Sequence, residues 1–211
     1  MKRLLCFFAA LSLLWTMASA DGSMARLMSQ NDARIDSVFL GQSHNTRLDL
    51  IDYYNAGSKT FTADSQFGSK LRIDSLSDRY ARFSGNIPVE LEAYLLTPAS
   101  DSLMVWVVNM PLGEGDCVVY VDDVRTGRTI QTIDTDYTEW LVKEAAKEAN
   151  QATLLAIIPF VNVSVQVDPY TNVVTMTNTT VDTPGLDPAV TAFFRPTLRY
   201  RWNGKKFVPE K

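Results

Sequence analysis

Apolar and polar positions follow two different periods along this chain, and the change of period divides it. After residue 30, Asp32 stands before Ile35, Val38 and Phe39, which fall on one face of a short helix that Gly41 stops. Leu48, Ile51 and Asn55, with Leu50, Tyr53 and Tyr54 beside them, predict a second helix over residues 46–56, closed by Gly57. From about residue 60 the period drops to two. Strands are expected over 70–76, 79–84, 89–97, 103–110 and 117–124, punctuated by Gly68, Ser77-Asp78, Gly85-Asn86, Pro98 and Pro111-Leu112-Gly113. Their close spacing leaves little room for crossover helices, so they read as an antiparallel meander. The run from Leu103 to Val108 is nearly all apolar and reads as a central strand buried on both faces.

Asp136 and Glu139 form a capping-box-like start for a helix expected to run to about residue 150. Tyr137, Leu141, Ala145 and Ala149 recur along it every four residues. Strands return at 154–158, 161–167 and 173–180. Val161, Val163, Val165 and Val167 alternate with Asn162, Ser164 and Gln166, the clearest period of two in the chain. A loop at 183–188 leads toward one helical turn. Leu198, Tyr200 and Trp202 then alternate with Arg199 and Arg201, and Asn203-Gly204 predicts a hairpin returning over 205–208. The expected class is α+β: an antiparallel β-sheet meander packed by helices on one face. Two duplicated αβ halves with a seam near residue 132 are a further reading of the same order.

The first twenty residues read as an address. Lys2 and Arg3 precede an uncharged apolar stretch over 4–17, and Ala18-Ser19-Ala20 before Asp21 is a small-x-small cleavage signature. That stretch is shorter than the ~20 residues a membrane span requires. We therefore expect a signal peptide over 1–20, cleavage between Ala20 and Asp21, and one soluble exported α+β domain over 21–211. The apolar run over 152–167 is broken by Pro159 and polar residues, so no transmembrane segment is expected in the mature chain.

Composition narrows the classes. Of the 211 residues 46% are hydrophobic, and 24 acidic side chains face 20 basic ones. This excludes a disordered chain. The acidic balance argues against nucleic acid as a partner, since a nucleic-acid binder needs a basic footprint. Loss of Lys2 and Arg3 with the signal leaves 18 basic against 24 acidic residues, a net charge of −6. Cys6 departs with them, and Cys117 reads as a buried free thiol.

Candidate chemistry is sparse. His44, the single histidine, lies beside a helix start, and no G-x-S-x-G elbow surrounds a serine. No spacing of His, Cys, Asp or Glu matches a metal motif, so neither metal nor cofactor is expected. Asp122 and Asp123 point to opposite faces of a strand, and Asp134 with Asp136 complements a helix start. Glu90 and Glu92 share a strand face about 7 Å apart, which leaves a carboxylate-based hydrolase of the envelope as an alternative function. The C-terminal segment is different in kind. Arg195, Arg199, Arg201, Lys205, Lys206 and Lys211 carry six of the 18 mature basic charges, interleaved with Phe193, Phe194, Tyr200, Trp202 and Phe207. With Tyr200 and Trp202 turned inward, Arg199 and Arg201 form the wet face of a strand. Arg199, Arg201, Trp202 and Lys205 are the candidate binding patch, for an anionic glycan or an envelope protein.

Residues 45–54 (NTRLDLIDYY), Leu76-Ser77-Asp78-Arg79-Tyr80, the strand from Asp101 to Val108 and the closing 200–207 (YRWNGKKF) together resemble an uncharacterised family of exported proteins of Bacteroidota, a domain of unknown function. The resemblance implies a Gram-negative envelope or periplasm and assigns no catalytic residues. The expected role is a binding or interaction module of that envelope. A structural subunit of an envelope assembly is the remaining alternative.

Overall fold

The computed structural model describes residues 24, 25, 28, 33–96, 103–110, 117–133, 137–142, 162–182, 184, 185 and 187–210. Residues 1–20, expected to be a signal peptide, lie outside them with the expected cleavage site at Ala18, Ala20 and Asp21, as does the strand expected at 154–158. Helices α1 (Ala33–Val38) and α2 (His44–Asn55) match the periodicity. Ser43 caps α2 by accepting the Thr46 N–H at 3.2 Å. At the other end Gly57 and Ser58 N–H donate to the Tyr54 and Tyr53 carbonyls at 3.0 and 2.9 Å, closing the helix as a Schellman motif.

Seven strands then add one after another, each antiparallel to the last: β1 (Ala63–Asp64), β2 (Lys70–Leu76), β3 (Tyr80–Gly85), β4 (Glu90–Leu95), β5 (Leu103–Asn109), β6 (Cys117–Asp123) and β7 (Arg128–Ile133). The meander is as expected, with β1 and β7 additions. One face, carrying Leu71, Ile73, Ala81, Phe83, Leu91, Ala93, Met104 and Trp106, packs on Ile35 and Phe39 of the α1 region and on Leu50 and Ile51 of α2. Arg34 pins α1 to the sheet. Its guanidinium donates to Asp122 Oδ1 at 3.1 Å and to Thr129 Oγ1 at 2.9 Å, and lies 3.7 Å over the Tyr120 ring.

Helices α1 and α2 cover that face. The opposite face meets a second antiparallel sheet, which a single-sheet reading did not contain. It is built from β8 (Val163–Asp168), β9 (Val173–Asn178), β10 (Thr197–Trp202) and β11 (Phe207–Pro209) in the order β11-β10-β9-β8, with the helical turn α3 (Pro188–Thr191) before β10. Val105, Val107, Val119 and Val121 pack there against Val163, Val167, Val174 and Met176. The continuous apolar run of β5 thus has a physical reason: Met104 and Trp106 face the helices while Val105 and Val107 face the second sheet. Each such side chain withdrawn from water contributes about 1.5–3 kcal/mol.

Two expectations change. The helix expected from Asp136 is, in its described part, a 3-10 turn at Tyr137–Trp140; residues 143–150 lie outside the described set. Arg195 N–H donates to the Trp140 carbonyl at 2.7 Å and Val142 N–H to the Phe193 carbonyl at 3.0 Å. Pairing with 193–195 therefore takes the backbone groups a helix would use. The duplication is not confirmed either. Among the described residues, seven strands behind two helices face four strands of different order, and the two sides of residue 132 do not repeat.

The sheets are joined at one corner. Gln131 of β7 accepts the Phe207 N–H on Oε1 at 2.7 Å and donates Nε2 to the Phe207 carbonyl at 3.1 Å. Phe207 offers these groups on the side of β11 away from β10, and Pro209 has no N–H to offer. The free edge of β11 is therefore closed to a further strand.

Candidate functional site

The β10–β11 hairpin places every residue of the sequence-derived patch. Tyr200 points inward and its hydroxyl donates to Glu139, while Trp202 meets Phe207 edge-on at 5.3 Å. Arg199 and Arg201 stand on the outer face, as alternation requires. The turn is displaced by one residue from the expectation that Asn203-Gly204 forms its centre. Asn203 N–H donates to the Lys206 carbonyl at 3.0 Å, so the central pair is Gly204-Lys205, with Gly204 at φ +96° as a type II′ turn demands. Asn203 instead uses Oδ1 to accept the Lys205 and Lys206 N–H groups, both at 3.0 Å. That leaves the two lysine side chains in solvent at the tip.

The register then brings Glu210 opposite the arginines. Glu210 N–H donates to the Arg199 carbonyl at 2.7 Å. The carboxylate sits between two guanidiniums, with Oε2 3.3 Å from Arg199 Nε and Oε1 2.5 Å from Arg201 Nε. One negative charge thus holds two positive ones side by side at half exposure, and the fork retains a net positive charge. Across the sheet, Arg199 lies in a row with Thr175 and Gln166, and Thr197 in a row with Thr177 and Ser164. The outer face is a field of hydroxyls, an amide and two guanidiniums, with the Glu210 carboxylate between the arginines and the exposed Asp168 carboxylate in the row of Arg201 and Val173.

Glu90 and Glu92 occupy the inner face of the first sheet, beyond the cover of the second. Arg82 donates to Glu90 at 2.7 Å. Glu92 accepts the Tyr80 and Tyr94 hydroxyls at 3.1 and 2.5 Å, with Arg82 Nε at 4.0 Å. Burial, then the Glu92 charge and hydrogen bond, push the Tyr80 phenol up to about 12. Burial first, and the Glu92 bond next, raise Tyr94 further; burial and the Glu139 bond do the same for Tyr200. A phenol raised in the folded state contributes stability that is complete below its ordinary value near 10 and is lost as pH rises through the folded value. Spectrophotometric titration should accordingly show phenolate absorbance at about pH 11 at least three tyrosines short of the total reached in denaturant. The missing signal should appear only above about pH 12 or together with unfolding. Full ionisation at about pH 11 of a still folded chain would contradict the assignment.

Cys117 is buried and free in β6, as expected, and burial, with Glu92 next, pushes its thiol up to about 12, which makes it a poor nucleophile. His44 is the exposed first residue of α2. Asp122 and Asp123 are engaged separately, by Arg34 and by Arg125. No group of three or more metal-ligating side chains occurs among the described residues.

A family model for proteins of unknown function (DUF3256) matches residues 33–207. The chain belongs to that family. The match spans α1 to α3 and both sheets through Phe207 of β11. No curated protein matches the chain. It is similar to a solved structure of a domain of an uncharacterized protein from Porphyromonas gingivalis W83, at 17% identity and a TM-score of 0.62, covering 90% of this chain and 100% of that one. At that identity the likeness establishes the fold. Among the described residues no helix is long and apolar enough to cross a membrane.

Sequence reasoning found the arginines but not their shared carboxylate, which follows from register once the turn is centred on Gly204-Lys205. It also missed an open cavity of about 610 Å³ between the α1–α2 loop and the β1–β2 turn. Its walls come from segments some twenty residues apart, and no local pattern marks them.

Proposed function

We propose that this protein is exported to the envelope of a Gram-negative bacterium and acts there as a binding module for anionic glycans, engaged by the outer face of the β10–β11 hairpin. The observation that carries the reading is the pair of half-exposed guanidiniums of Arg199 and Arg201, both held by Glu210 beside rows of Thr, Ser and Gln side chains. Guanidiniums match carboxylate and sulfate oxygens two bonds at a time, and the flanking hydroxyls and amide suit a sugar backbone. Protein partners favour aromatic and apolar anchors. The large exposed apolar side chains among the described residues, Leu40, Leu48, Tyr53, Phe67, Met110, Ile130 and Tyr170, all lie off the four strands of this sheet.

Export rests on the Lys2-Arg3 start, the apolar stretch and the Ala18-Ser19-Ala20 signature. For the alternatives, a hydrolase built on Glu92 would have to release that carboxylate from two phenols, and assembly by strand addition finds the β11 edge closed by Gln131 and Pro209. The test has two arms. N-terminal sequencing of the protein from its native envelope fraction should begin at Asp21; a retained Met1 would overturn export. Titration of the isotope-labelled chain with alginate oligomers should shift amides of β10, β11 and β9, while polyglutamate of equal charge shifts them less. Shifts elsewhere, or a stronger response to polyglutamate, would overturn the glycan reading.

A further inference from the structure

The geometry points to a second ligand site, independent of the basic hairpin and at the opposite edge of the first sheet: the open cavity beside β1, which we assign to a neutral saccharide stacked on Phe67. Its volume, about 610 Å³, lies in the range of small-ligand sites. Phe67 is 71% exposed and Leu40 59%, so an apolar wall stands in water without serving the core.

That wall is built rather than loose. The Phe67 ring rests on Gly41, where a Cβ would come within 2.5 Å of its Cδ2 atom. The turn that carries it is fixed by Ser65, whose Oγ accepts the Phe67 and Ser69 N–H groups, both at 3.1 Å. Ser69 Oγ in turn donates to the Leu40 carbonyl at 2.8 Å, tying the two walls together. A ring held in place before its ligand arrives loses little entropy on binding.

The polar lining is rich in acceptors. Gln42 is 4% exposed and backs the cavity from beneath, while the Ser43 and Thr46 hydroxyls, 2.8 Å apart, line it at the surface. Asp36 spends Oδ1 on the Gly41 and Gln42 N–H groups at 3.0 and 3.1 Å, and Asp64, paired with Lys70 Nζ at 3.6 Å, adds a second carboxylate. A ligand for this cavity must bring several hydrogen-bonding groups and one apolar face, and the Asp36 carboxylate disfavours a negative charge. A saccharide ring meets these conditions, with hydroxyls for Asp36, Ser43 and Thr46 and a C–H face for Phe67. A simple ammonium would meet the carboxylates and leave the Leu40–Phe67 wall unused.

The test uses the whole mature chain, isotope-labelled, titrated with a panel of neutral di- and trisaccharides (maltose, cellobiose, chitobiose and their trimers) and separately with spermidine. At least one saccharide should shift amides of residues 40–42 and 65–69. Phe67→Ala should weaken it by about tenfold or more, whereas Phe67→Trp should retain it. Failure of the whole panel, unchanged binding in Phe67→Ala, or shifts there from spermidine but from no saccharide would overturn the assignment. The Arg199→Gln/Arg201→Gln variant should bind the saccharide normally, which separates failure here from failure of the hairpin reading.

Discussion

Gly85→Ala is expected to lower the unfolding free energy by about 3 kcal/mol, a large loss for the removal of no contact at all. Gly85 closes β3 opposite Leu71, and a Cβ there would lie 2.0 Å from the Lys70 carbonyl oxygen and 2.9 Å from the Phe39 ring. A carbonyl in the adjoining strand cannot rotate out of the way as a side chain can. Either β2 and β3 part at their end, or Phe39, fully buried on the helix-covered face, must leave its place. Gly57→Ala is the control. Its Cβ meets nothing within 4 Å, and only its left-handed backbone resists, at about 1 kcal/mol. Urea unfolding of both variants distinguishes crowding from backbone preference; equal losses would contradict the close approach.

Asp122→Ala is expected to cost about 2 kcal/mol, more than its modest ion pair would suggest. The Arg34 and Asp122 side chains are 17% and 14% exposed, so loss of the carboxylate strands a guanidinium over Tyr120 with Thr129 as its remaining oxygen partner. Residual solvent access keeps the figure below that of a fully buried pair. Arg34→Met should cost less, because its stem still covers the Tyr120 ring and no charge is stranded. The double variant should lose clearly less than the two single losses added together. Amide exchange should place the weakening in α1, whose attachment to β6 and β7 this pair supplies. Additive losses in urea unfolding would mean that the pair is not a unit.

The legible part of the fold was the part in which alternation records burial directly. In β4, Leu91, Ala93 and Leu95 face the helix-covered core while the half-buried Glu90, Glu92 and Tyr94 take the opposite face, and in β8 Val163 and Val167 point inward against Ser164 and Gln166. β7 escaped notice because Arg128, Thr129, Ile130 and Thr132 are all exposed and its pairing with β6 slips between Val121 and Asp122. A strand with no buried stripe and a broken register leaves no period to read. The turn at Tyr137 misled for the opposite reason. Its capping signal is real, but long-range bonds from Trp140 and Val142 to 193–195 outweigh a local preference. That the inner valines of β5 and β6 are covered by a second sheet is a fact of tertiary pairing, and periodicity fixes only that they are covered.

The candidate sites divide in the same way. Alternation alone sends Arg199 and Arg201 to solvent and Tyr200 inward. The Glu210 fork needs the register of the hairpin, and the cavity at Leu40 and Phe67 needs two loops brought together by the α2–β2 packing and the Ser69–Leu40 bond. Fold likeness at 17% identity transfers no function.

The most direct measurement of the central claim is calorimetric titration of alginate oligomers into the wild-type chain and into Arg199→Gln/Arg201→Gln, at low and at physiological salt. The account predicts that the double variant keeps its unfolding midpoint, loses affinity by about tenfold or more, and shows a flatter salt dependence, because two charge-assisted contacts are gone. Equal affinity and equal salt dependence in the two proteins would contradict it.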